Sequence, residues 1–110
     1  MTHDMTTIVH PINLLVSDEL DRASKLHGAA FASEHEGYGV IAEEVLEAGD
    51  ELEKAESLMR RLLIALREEK KTAIFDLTGQ IKEVAVNCAA ECVQVAAMCE
   101  KMLRTVKEGN

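Results

Sequence analysis

The chain is expected to fold as an all-α antiparallel helical bundle of two long helices and a short N-terminal helix, paired with a second copy of itself. Three features predict this. Ala, Leu, Glu, Lys and Met dominate the sequence, which favours helix. No run of alternating β-branched residues bounded by turn signals is present. The single proline, Pro11, falls near the N-terminus and leaves the remaining 99 positions free of that breaker. A length of 110 residues suits one domain, taken as residues 1–110.

Residues 1–12 read as an irregular N-terminal arm. A short first helix follows over Ser17 to His27, with a start a few residues earlier left open; Leu20, Ala23 and Leu26 recur there at helical spacing and Gly28 is placed to end it. The second helix opens at Ser33, which forms a capping-box pattern with Glu36. From there Ile41, Val45, Ala48, Leu52, Ala55, Met59, Leu62 and Leu66 recur at alternating steps of four and three, giving one apolar seam.

A helix from Ser33 to Glu69 would be about 54 Å long, against a radius of gyration of about 13 Å for a compact domain of this length. Either it breaks at Gly49-Asp50 or its far half meets a second subunit, and the dimer is the favoured reading. The third helix starts between Thr72 and Gln80 and runs to Val106. Its heptad is Ile74, Leu77, Ile81, Val84, Cys88, Val95, Met98 and Met102, with Glu91 standing at the one core position between Cys88 and Val95.

Charge narrows the function classes. Twelve Lys and Arg against 20 Asp and Glu give a net charge of -8, and only Phe31, Tyr38 and Phe75 offer rings for stacking, so direct nucleic-acid binding is not expected. No apolar stretch reaches the ~18 residues of a membrane span, and the N-terminus lacks a signal-peptide pattern, so a cytoplasmic protein without membrane association is expected. Cys88, Cys92 and Cys99 are odd in number and clustered, as reduced packing thiols rather than a disulfide framework.

A carboxylate on an apolar seam is costly unless protonated, paired or bound to a cation. Glu91 is therefore the most informative residue: it either bends to solvent, pairs with a base, or binds metal. Glu44, Glu47 and Glu51 share one face of the second helix beside its seam and repel one another at this spacing. Two antiparallel helices packed along their seams would set Glu44 and Glu47 opposite Glu91. Oxygen-only ligands of this kind suit magnesium, or manganese, and their carboxylates should then converge within about 4 to 6 Å.

Glu43-Glu44-Val45-Leu46-Glu47 has the form EExxE, and Glu91-Cys92-Val93-Gln94 stands where a partner ExxD would be. Over residues 27–104 the chain resembles the MazG-like, all-α nucleoside triphosphate pyrophosphohydrolases, in particular the short members found in phages and prophages. The resemblance implies a dimeric or tetrameric bundle that hydrolyses a nucleoside triphosphate to the monophosphate and pyrophosphate. It implies Glu44, Glu47 and Glu91 as magnesium ligands, with Gln94 at the fourth position. It also implies Glu43 and Glu47 as catalytic groups, Glu43 orienting or deprotonating the attacking water.

Two departures stand out: Gln94 replaces an acidic ligand, and the interval from Glu47 to Glu91 is longer than in compact members. Lys101, seven residues after Gln94, projects from the same side, where it can meet a terminal phosphate. Asn87 and Glu83 share the face of Glu91. His35, Tyr38 and His27 lie near the start of the second helix as candidates for a base pocket. The rival reading is a non-enzymatic helical interaction or accessory module whose acids keep it soluble.

Overall fold

The computed structural model describes residues 5–108. Three helices follow in order, α1 (Thr6–His27), α2 (Glu34–Arg67) and α3 (Lys71–Glu108), and no strand occurs among the described residues. The all-α class is that expected from composition and periodicity.

The N-terminal reading needs correction. α1 begins at Thr6 and runs through Pro11 to His27, so it is not short, and from Thr6 onward the arm expected over residues 1–12 is helix. Residues 1–4 lie outside the described residues. Pro11 removes one amide donor early in the helix without ending it, and the first helical bonds are made upstream, where the Met5 carbonyl accepts from Ile8 (3.0 Å) and Val9 (2.9 Å). Gly28, at φ 92°, ends α1 in a backbone region that side-chain-bearing residues avoid.

The start of α2 is capped as expected: the Ser33 hydroxyl accepts from the Glu36 amide at 3.1 Å. The helix is unbroken through Gly49 and Asp50. Its end is a Schellman turn, in which the Lys70 amide donates to the Ala65 carbonyl (3.0 Å) and the Glu69 amide to that of Leu66 (3.2 Å). Glu69 holds the left-handed position at φ 55°, a place usually taken by glycine. α3 then starts at Lys71, one residue before the earliest expected start.

The chain divides into two compact units, one of residues up to Glu44 and from Cys92 onward, the other Val45–Glu91, with the divisions cutting α2 and α3 in mid-helix. The first unit is built on Val16, Leu20, Ala23, Phe31, Ala97 and Met98, with Val40, Ile41, Val93, Ala96 and Met102 packed against them. Gly37 makes this possible: a Cβ there would stand 2.6 Å from Met102 Sδ and 2.9 Å from a ring carbon of Phe31. Phe31 is held by its amide, which donates to the Thr105 hydroxyl at 2.9 Å, while that hydroxyl donates to the Lys101 carbonyl at 2.8 Å.

The second unit is a two-helix hairpin in which Ala65 and Leu77 are the buried apolar residues. α3 turns inward the heptad read from sequence: Ile74, Ile81, Val84 and Cys88 are half-buried around Leu77. On α2 the inward line is different. Ala48, Glu51, Ala55, Leu58 and Leu62 are half-buried and Ala65 buried, whereas Val45, Leu52, Met59 and Leu66 of the expected seam face solvent. The seam is thus rotated toward the acidic stripe, and Glu44 and Glu51 lie on it rather than beside it.

Candidate functional site

Glu47 and Glu91 belong to the second unit, and Glu44 precedes Glu47 by one turn of the same unbroken helix. One carboxylate oxygen from each of Glu44, Glu47 and Glu91 lies within 4.8 Å of the others. Glu44 and Glu91 are half-buried and Glu47 is exposed, so the cluster has an inner wall and an open side. The i,i+3 step from Glu44 to Glu47 sets these two on adjacent turns, and the α3 heptad delivers Glu91.

Glu51, the third acid of the stripe, is drawn off by Lys54 Nζ, which donates to its Oε1 at 3.0 Å. Cys88, one turn before Glu91, donates its thiol to the Ala48 carbonyl at 3.5 Å, a contact that ties α3 to α2 within the second unit. Cys92 is exposed, contrary to a packing role, and Cys99 is half-buried.

The donor set fits a hard divalent cation. All three groups offer oxygen, the preference of magnesium and manganese. Magnesium–oxygen bonds of about 2.1 Å place two ligands on one ion no more than about 4.2 Å apart, so closing a 4.8 Å span takes only a small side-chain adjustment.

A cavity of about 370 Å³ lies in the first unit, lined by Glu44 together with Gln94 and Lys101, and by α1 residues Glu19, Arg22, Ala23 and His27. Phe31, Glu36, Val40 and Met98 complete the wall. Lys101 is 4% exposed, so it is not a solvated base near a helix end; its ammonium sits 4.5 Å from the centre of the Phe31 ring.

Gln94 faces Glu19. The Glu19 carboxyl is held below the ordinary range chiefly by its hydrogen bond with Arg22; burial opposes this, while the charge of Arg22 and a hydrogen bond from Gln94 add to it. The Arg22 guanidinium grips both carboxylate oxygens, with Nε donating to Oε2 at 3.0 Å and the second bond running from Nη2 to Oε1.

The remaining sequence candidates lie elsewhere. Glu43 is exposed and outside the carboxylate cluster. Asn87 and His35 are exposed, Tyr38 is 71% exposed, and none of the three lines the cavity. Glu19 and Arg22 were invisible as site residues in the sequence because their i,i+3 pairing is an ordinary helix-surface pattern; only packing against α3 brings them to Gln94. No helix among the described residues is long and apolar enough to cross a membrane. No protein-family model matches the chain, and neither curated proteins nor solved structures yield a significant match.

Proposed function

We propose that the protein is a metal-dependent nucleoside triphosphate pyrophosphohydrolase, converting a nucleoside triphosphate and water to the monophosphate and pyrophosphate. The observation that carries this reading is the convergence of Glu44, Glu47 and Glu91 from two helices within 4.8 Å. Three carboxylates at this distance repel one another, and a divalent cation would relieve that repulsion while admitting a polyphosphate.

Glu44, Glu47 and Glu91 would hold magnesium, or manganese. A bound ion would supply charge neutralisation and polarisation of the phosphates. The chain's own groups do the rest. Glu47, on the open side of the cluster, accepts a proton from the attacking water as its oxygen bonds to the α-phosphorus, and the bond to the β-phosphate oxygen breaks to release pyrophosphate. Glu43, exposed on the neighbouring position, orients that water. Gln94 would offer its amide oxygen as a fourth, uncharged ligand, which leaves three acids to supply the charge. His35, Tyr38 and Asn87 are left as rim contacts to the substrate.

Self-association belongs to the same proposal. Val45, Leu52, Met59 and Leu66 repeat at steps of seven along α2 and are 49%, 55%, 57% and 52% exposed. A heptad stripe of this kind is the surface a second copy of the chain would cover.

The test is pyrophosphate release from a panel of nucleoside triphosphates with magnesium or manganese. Wild type should turn over at least one, and Glu47→Gln and Glu91→Gln should abolish release. An inactive wild type with unaltered thermal stability in magnesium would favour the accessory-module reading, which Gln94 in place of an acid also favours.

A further inference from the structure

We infer that Glu19 is a positioning residue: locked in place by Arg22, it takes an amide hydrogen of Gln94 and so turns the Gln94 oxygen toward the cation site. The residues involved line one cavity of the first unit, Glu19 and Arg22 from α1, Glu44 from α2 and Gln94 from α3. The inference rests on the proposed cation at Glu44, Glu47 and Glu91, and it deepens that reading by naming what orients the uncharged ligand.

A glutamine amide donates at one end and accepts at the other, and a metal ion can use only the oxygen. An ionised carboxylate accepts and never donates. The hydrogen bond between Gln94 and Glu19 is therefore made by the Gln94 nitrogen. That leaves the oxygen, at the other corner of the planar amide, to face another partner.

Glu19 suits this task because it is itself restrained. Its side chain is 15% exposed, next to the buried Leu20, and Arg22 engages both of its oxygens, Nε donating to Oε2 at 3.0 Å and Nη2 donating to Oε1. An ion pair taken partly out of water returns little stability. A carboxylate fixed at both oxygens, however, holds a further hydrogen bond in one direction, which is how neighbours of a metal ligand set its orientation. The same carboxylate would repel a fourth acid at position 94, so an amide is the ligand that this neighbour can orient.

The test is a cycle built on position 94. Magnesium is titrated calorimetrically into wild type and Gln94→Glu, each alone and combined with Glu19→Leu/Arg22→Leu, a pair that removes one charge of each sign and leaves the net charge unchanged. Glu19→Gln/Arg22→Gln is a second, polar pair, and melting curves verify which variants fold. With Gln94 in place, either pair should weaken magnesium binding about tenfold or more. With Gln94→Glu, whose two oxygens are equivalent and need no orienting, the loss should vanish. In metal-free buffer the side-chain amide protons of Gln94, followed by NMR, should exchange slowly in wild type and lose that protection in both pairs.

Equal losses in both backgrounds would overturn the inference, because a merely structural pair acts alike in each. Unchanged magnesium binding with Gln94 in place, or unprotected Gln94 protons in wild type, would overturn it as well. Protected protons in a wild type that binds no magnesium would uphold the orientation and sink the cation reading alone.

Discussion

The two units of this chain solve the problem of burying apolar side chains differently. The first encloses Val16, Leu20, Phe31, Ala97 and Met98 in its own core, and Gly37 permits close approach there. The second buries only Ala65 and Leu77 among its apolar residues and leaves Leu46, Leu52, Met59 and Phe75 between 55% and 81% exposed. A unit with its own core keeps a cavity in fixed shape; a hairpin with a thin core gains most from a partner. The cavity and the exposed heptad stripe thus fall on different stretches of the chain.

The largest expected effect tests the self-sufficient unit. Met98→Ala removes a side chain that is 8% exposed against Leu20, Phe31 and their neighbours, and should lower unfolding free energy by about 2–4 kcal/mol. Denaturant melts check this. A loss below about 1 kcal/mol would mean that this core is less tightly packed than described.

The next effect concerns the hairpin. The pair Leu52→Glu and Met59→Glu introduces charge on the outward stripe and should convert a dimer to a monomer in sedimentation equilibrium, while leaving the first unit's fold intact. Sedimentation of wild type as a monomer would break the comparison, since the stripe would then need no cover.

The smallest effect is local. Glu69→Gly places glycine at φ 55°; relief of left-handed strain, offset by the greater chain entropy of glycine, should stabilise the protein by about 0.5–1 kcal/mol. A destabilised variant would show that the Glu69 side chain contributes contacts that outweigh its strained backbone.

Much of this was legible in the sequence. The α3 heptad from Ile74 to Met102 turns inward as read, with Glu91 the one charged residue on it, while Val93, Ala96 and Ala97 off that heptad also join the core. The seam of α2 was misread for a physical reason. Ile41, Ala48, Ala55 and Leu62 are shared by two candidate stripes, one completed by Val45, Leu52 and Met59, the other by Glu44, Glu51 and Leu58.

Hydrophobicity selects the first stripe, yet the structure turns the second one inward, where Lys54 offsets the charge of Glu51. Periodicity alone does not register such compensation. α1 was underestimated because residues 1–12 read as an irregular arm, although a proline in the early turns costs only one amide donor. Its Glu19 and Arg22 reach the cavity through tertiary packing, which spacing along one helix does not reveal.

The central claim is that Glu44, Glu47 and Glu91 form one cation site. Calorimetric titration of magnesium into wild type, Glu91→Gln and Glu51→Gln tests it most directly, because Glu51 is also a glutamate, on the helix face of Glu44, but is paired with Lys54. Saturable binding by wild type and Glu51→Gln, lost in Glu91→Gln, is the predicted result. Equal binding by all three proteins, or none by wild type, would contradict it.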